Sequence, residues 1–126
     1  MTTMRSAIRF ILVACRIIPR PDFVARVQRD HPAPEQLKPG RLVVVRDGPV
    51  EKWICFLCPG GCGEKVMLNL SARKSPRWRV SIDWLNRPTV EPSVLQVNDC
   101  RCHFWIRGGE IDWCPDSGCR GDNRPI

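Results

Sequence analysis

The sequence contains no tyrosine. No uninterrupted run of about 18 apolar residues exists, which excludes a helix that crosses a membrane. There is no internal repeat, phosphate-cradling P-loop, dinucleotide Gly pattern, Gly-x-Ser-x-Gly elbow, His-Glu-x-x-His pair or zinc-deaminase signature. The enzyme classes that depend on those motifs are therefore disfavoured. An export signal is also missing in physical terms. Arg5 and Arg9 precede Phe10–Ala14 and Cys15, but Arg9 and Arg16 leave only six apolar residues between them, where a signal core needs about 7–15. A cytoplasmic chain is expected.

What is present fits one small domain. The 126 residues are 43% apolar and 26% charged, which does not suit a disordered chain. A chain of this size buries roughly two-thirds of its unfolded surface, so a metal or crosslinks would help to stabilise it. Eight cysteines stand ready for that role. The formal charge is +7, yet residues 1–41 hold eight basic and three acidic side chains while the remainder is nearly balanced. Nucleic-acid binding needs clustered Lys and Arg, and here the surplus sits in an N-terminal extension, so nucleic acid is not the expected partner.

The domain boundaries read as a basic extension over 1–21, a β domain over 22–114 and a polar, frayed tail over 115–126. The extension suits a short amphipathic helix or irregular arm. Asp22 could cap a helix running to Arg29 with Phe23, Val24 and Val27 on one face. After Gly40 the pattern turns to strands: Leu42–Val45, Trp53–Leu57, then alternation at Val66, Leu68 and Leu70. It continues at Trp78 and Val80, at Ile82 and Trp84, over Val94–Val97, and in a hairpin from Phe104 to Trp113. The expected fold is mainly β, a small antiparallel, zinc-ribbon-like sheet domain.

Cys55-Phe-Leu-Cys58-Pro-Gly-Gly-Cys62-Gly is the densest chemical signal. Zinc takes four convergent thiolate or imidazole ligands, so several must come from one tight turn. Pro59, Gly60, Gly61 and Gly63 let the backbone double back. A fourth ligand is needed from elsewhere, with Cys100 the best placed and Cys102 and His103 its rivals. An all-thiolate shell leaves no position for water, so the metal would be structural. Cys114 and Cys119 form a default thiol pair, and Cys15 belongs to the arm. Cys102-His103 offers a thiol beside a base, although neighbours on a regular strand point to opposite faces. Glu64 could orient an imidazole, and Arg77-Trp78-Arg79 could stack a nucleotide or place its Trp in a core.

The order of these motifs resembles a small bacterial family whose genes occur in ubiquitin-like conjugation operons. The resemblance runs from about Phe23 to Cys114. It rests on Phe23-Val, the lead-in Pro34–Gly40, the strand Leu42–Val45, Cys58-Pro-Gly-Gly-Cys62-Gly-Glu, Trp78-Arg, Val90-Glu-Pro-Ser-Val, and Cys100-x-Cys102-His103-Phe-Trp-Ile through Trp113. It implies a zinc-stabilised peptidase that acts on a ubiquitin-like protein precursor or conjugate, with that protein and its conjugation enzymes as partners. The family pattern has Ser just before the His, where this chain has Cys102, and a Cys at the position of Gly60. The resemblance thus implies Cys55, Cys58, Cys62 and Cys100 as zinc ligands, Cys102 as nucleophile, His103 as base and Glu64 as an orienting acid. Acyl transfer would also need oxyanion donors, expected from the amides near Gly108 and Gly109. The alternative is a non-catalytic zinc-binding adaptor for protein or nucleic acid.

Overall fold

The computed structural model describes residues 2–15, 21–96 and 100–118. It contains one helix, α1 (Thr2–Ala14), a single 3-10 turn at Pro34–Gln36, and eight strands. One sheet has the order β1 (Val24–Gln28), β2 (Arg41–Asp47), β3 (Val50–Leu57), β4 (Lys65–Asn69). The other has the order β5 (Arg79–Ile82), β6 (Pro88–Leu95), β7 (His103–Arg107), β8 (Glu110–Trp113). The mainly β expectation holds, with two four-stranded sheets in place of one.

The segment after Asp22 is a strand, not the expected capped helix. Phe23 and Ala25 are buried on either side of the half-buried Val24, a strand's spacing, and Val27, expected on the helix's apolar face, is exposed. Their backbone groups are taken by a parallel pairing, Val24 with Arg41 through Gln28 with Val45. A partner strand fifteen or more residues away overrides the local capping signal. The remaining ladders are antiparallel. Trp84, expected in a strand, lies outside one and is exposed.

Both sheets contribute to the principal core. Leu42, Val44, Ile54, Phe56 and Leu68 come from one sheet, and Val90, Val94, Phe104 and Ile106 from the other. Phe56 and Phe104 meet edge-on across the seam at 6.2 Å between centroids, and Phe23 and Trp113 extend the aromatic row at either end. Truncating a fully buried Phe such as Phe104 to Ala costs about 3–5 kcal/mol. A second cluster, Leu37, Val43, Val45 and Cys55, fills the opposite face of β2 and β3. Successive residues Cys55 and Phe56 thus serve different cores, as the pleat requires.

Helix α1 is tied to the domain where the Arg9 guanidinium donates to the Leu85 carbonyl at 3.1 Å. Arg5 and Arg9 line a cleft of about 1040 Å³ together with Arg26, Lys38, Arg41 and Arg46. Cys15, at the end of this helix, is exposed. No helix among the described residues is long and apolar enough to cross a membrane.

Candidate active site

Two chemically distinct groups flank the start of β7. On the interior side lie sulfurs. The turn after β3 carries Cys58 and Cys62, and the turn before β7 carries Cys100, with the three Sγ atoms within 4.8 Å of one another. The Cys58 N–H donates to the Glu64 carbonyl at 2.8 Å and the Gly61 N–H to the Cys58 carbonyl at 3.2 Å. Gly61 and Gly63 both have positive φ, the conformation that lets this turn reverse. The Gly60 N–H points at Cys58 Sγ, 3.3 Å away. Burial and the neighbouring sulfurs of Cys62 and Cys58 push the Cys100 thiol up to about 12. At Cys62 burial raises the thiol, but a backbone hydrogen bond from Glu64 and the contacts with Cys58 and Cys100 outweigh it and leave the thiol below its ordinary value. Such a cluster cannot ionise fully without a cation among the sulfurs, so these residues could hold a metal.

Cys55 does not join this cluster. Its side chain lies with Leu37, Val43 and Val45 in the second core, and burial pushes its thiol above the ordinary value. The alternation of β3 puts it on the wrong face to share a cation with Cys58. Cys102 does face the cluster, with Sγ 3.1 Å from Cys100 Sγ and 3.5 Å from Cys58 Sγ. It is 0% exposed and disulfide-bonded. A sulfur held in that way has no thiolate to offer a substrate. The structure does not bring the expected nucleophile Cys102 and base His103 together: residues 102 and 103 face opposite sides, despite the positive φ of Arg101.

On the other side lies a hydrogen-bonded chain of three side chains. Ser93 Oγ is 3.1 Å from His103 Nε2, and His103 Nδ1 is 2.7 Å from Asp116 Oδ1. The imidazole is 20% exposed and the carboxylate 71%. The serine comes from β6, where pairing slips between Val90 and Val94: Val90 faces Ile106 and Val94 faces Phe104. Three residues of β6 thus oppose one of β7, a bulge of the kind that re-aims side chains beside sites. The Trp78 indole N–H donates to the Ser93 carbonyl at 3.3 Å and anchors the bulge.

Asp116 is delivered by a loop bonded to the backbone of β7. The Cys114 N–H donates to the His103 carbonyl at 2.9 Å, the His103 N–H to Ser117 Oγ at 3.0 Å, and the Gly118 N–H to the Arg101 carbonyl at 2.8 Å. A Cβ on Gly118 would sit 2.8 Å from Arg101 Cβ and 2.9 Å from the Cys100 carbonyl oxygen, so glycine permits this close approach. Residues 115–118, expected to begin a frayed tail, are thus pinned; Cys119 and the rest of the tail lie outside the described residues. Cys114 stands beside the chain, its thiol raised by burial and by the charges of Asp116 and Asp112.

The other expected participants lie elsewhere. Glu64 is exposed in the sulfur-bearing turn and is not the acid at His103; Asp116 is. The amides of Gly108 and Gly109 are engaged by Thr89 Oγ1 at 2.9 Å and the Pro88 carbonyl at 2.8 Å, which removes them as oxyanion donors. Trp78 is half-buried and packs against the core.

Ser93 and Asp116 escaped the sequence reading for a physical reason. They meet His103 from ten residues before and thirteen after, across a ladder and a loop, with no local spacing to mark them. Val90-Glu-Pro-Ser-Val was the one available signal, a motif to which no chemistry had been attached.

Beside Ser93 runs an open groove of about 750 Å³ lined by Arg79, Thr89, Glu91, Pro92, Trp105 and Arg107. Trp105 and Arg107 follow His103 on the same face of β7, and the Arg107 guanidinium stacks 4.5 Å above the Trp105 ring.

The sequence model of a family described as "Bacterial ubiquitination-like system serine protease (BubE)" matches residues 29–114. No curated protein and no solved structure matches the chain.

Proposed function

We propose that this chain, which belongs to the family of bacterial ubiquitination-like system serine proteases (BubE), cleaves acyl bonds with Ser93 as nucleophile, His103 as general base and Asp116 as the residue that orients the base. The observation that carries this reading is the unbroken chain Ser93 Oγ, His103 Nε2, His103 Nδ1, Asp116 Oδ1 at 3.1 and 2.7 Å. These distances suit proton transfer and tautomer control.

The Asp116 carboxylate accepts a hydrogen bond from Nδ1–H, so the lone pair of the neutral imidazole is on Nε2 and faces Ser93. As Ser93 Oγ attacks the substrate carbonyl carbon, its proton passes to Nε2, and Asp116 stabilises the imidazolium that forms. The proton then goes to the leaving amine as the carbon–nitrogen bond breaks and an acyl-enzyme remains. Water, deprotonated by the same Nε2, releases the acid and restores the serine. The groove lined by Trp105 and by Pro92, next to Ser93 in sequence, is where the substrate chain would lie.

The substrate is a ubiquitin-like protein, joined through its C-terminus to a further segment or to a target, and the conjugation enzymes of the same system are the functional neighbours. The support is the family description. Ser93→Ala is expected to lower the rate of precursor cleavage by at least about 10⁴-fold while Cys102→Ala keeps cleavage per folded molecule. Equal activity of Ser93→Ala and the parent would overturn the assignment. The position preceding His103 faces the sulfur cluster, so the exchange of Ser for Cys there does not change the nucleophile.

Zinc is the metal that suits the sulfur cluster. The donors are soft thiols, and the Gly60 amide is placed to stabilise a thiolate at Cys58. Cys58, Cys62 and Cys100 would hold the ion, with the Cys102 sulfur, once reduced, the nearest further donor among the described residues. Bound there, the ion would crosslink the β3–β4 turn to the start of β7, away from the Ser93 hydroxyl.

One observation favours a second reading, an adaptor role. The cleft under α1 gathers six basic side chains, a surface suited to an acidic partner or nucleic acid. Binding of a nucleic-acid oligomer that falls steeply with salt and is lost in Arg5→Glu/Arg9→Glu would support it. Binding unchanged by those substitutions would remove it.

A further inference from the structure

We propose that His103, Cys114 and Asp116 form an inhibitory site for a thiophilic divalent cation, zinc foremost, that switches the enzyme off from the Nδ1 side of its base. The inference rests on the triad reading above and adds a regulator to that site. It uses none of the residues of the interior sulfur cluster.

The geometry is specific. One imidazole nitrogen, one thiol sulfur and one carboxylate oxygen of these residues lie within 4.8 Å of one another. Cys114 is held in place by its own backbone, since its N–H donates to the His103 carbonyl at 2.9 Å. The donor set is three different groups on one side, which leaves a fourth position open, the arrangement of an exchangeable rather than a structural zinc. Asp116 brings a carboxylate to the same spot, while the nearby Asp112 is paired with Arg107 at 2.9 Å. One adjustment can be read from the distances. Nδ1 and Oδ1 are 2.7 Å apart, and two ligands of a tetrahedral zinc stand about 3.3 Å apart. The Asp116 side chain is largely exposed and has room to move outward by that amount.

The chemical consequence follows from the tautomer. Catalysis needs the proton on Nδ1 and a lone pair on Nε2. A cation that takes the Nδ1 lone pair obliges the neutral ring to carry its proton on Nε2. The ring then donates to Ser93 Oγ and cannot accept its proton. Binding also displaces the Cys114 thiol proton. One cation is thus exchanged for one proton released to solvent, the ring proton having moved from Nδ1 to Nε2. No bond to carbon forms or breaks, and no electron is transferred.

The test uses the full chain with its interior metal retained, zinc chloride as inhibitor and cobalt chloride as spectroscopic probe. Micromolar zinc is expected to lower precursor cleavage by the parent at least about 10-fold, and a chelator in brief exposure to restore it. Cys114→Ala and Cys114→Ser are expected to keep the parental rate and to need at least about 10-fold more zinc for the same inhibition. Cobalt is expected to give a thiolate-to-metal charge-transfer band in the parent and in Ser93→Ala that is missing from both Cys114 variants; their spectra also subtract any exchange at the interior cluster. Equal zinc inhibition of parent and Cys114 variants, or no Cys114-dependent band, overturns the site. The two readings fail separately. An inactive Ser93→Ala with Cys114-independent zinc inhibition leaves the triad standing and overturns the cation site. A Cys114-dependent band with a fully active Ser93→Ala overturns the triad, and with it the switch.

Discussion

The two sides of residues 102 and 103 differ in almost every physical respect. Inward, Cys102 sits at zero exposure among the sulfurs of Cys58 and Cys100. Outward, His103 is partly open and bonded to one hydroxyl and one carboxylate. The inner side gathers the sulfurs of Cys58, Cys62, Cys100 and Cys102 from two turns. The outer side holds a hydroxyl, an imidazole and a carboxylate, with the Cys114 thiol beside them. One peptide step, at the start of β7, separates the sulfur side from the oxygen and nitrogen side. A cysteine next to a histidine in sequence is therefore weak support for a nucleophile–base pair whenever the two lie on a strand.

This contrast predicts that substitutions on the inner side act through stability and those on the outer side through turnover. The largest expected effect is on the inner side. Cys58→Ser should remove the bound metal, measured by elemental analysis of purified protein, and lower stability in urea titration by about 4 kcal/mol. Cys55→Ala should keep the metal, because its sulfur lies in the other core. Metal loss in Cys55→Ala would break the separation of the two cores.

Gly118 joins the two sides, since its amide bonds to Arg101 between the sulfur cluster and the base. Gly118→Ala should push the loop away and draw Asp116 off His103. The cost is about 10²-fold in kcat, the usual penalty for a displacement of about 1 Å at a catalytic group. Metal content should be unchanged. The smallest effect belongs to Trp78. Trp78→Phe keeps the aromatic packing and removes the N–H to the Ser93 carbonyl. The expected loss is about 5-fold in kcat with KM unchanged, in line with about 1 kcal/mol for one such hydrogen bond.

Much of the fold was legible along the chain, and the reason is local. Leu42–Val45, Trp53–Leu57 and the alternation at Val66 and Leu68 fall inside β2, β3 and β4, because burial against one face leaves its mark on adjacent residues. The segment 22–29 misled because Asp22 and its apolar followers satisfy a helical pattern, while the parallel partner Arg41–Val45 that decides the matter is remote. In the site, the tight turn at Cys58–Cys62 was legible because its glycines and thiols are contiguous. Its partner Cys100 was proposed from a distant segment, and the structure brings it to that turn. Ser93 and Asp116 were not legible as reactive groups. A bulge in β6 and a hydrogen-bonded loop after β8 bring them to His103, and neither device has a signature in residue spacing.

The triad is tested most directly by an acyl-transfer trap that needs no natural substrate. A fluorophosphonate probe reacts with a serine only when a base activates it. The full chain treated with such a probe and analysed by peptide mass spectrometry should carry one adduct on Ser93, absent from His103→Ala and retained in Cys102→Ala. An adduct elsewhere, or labelling of Ser93 unaffected by His103→Ala, would contradict the account.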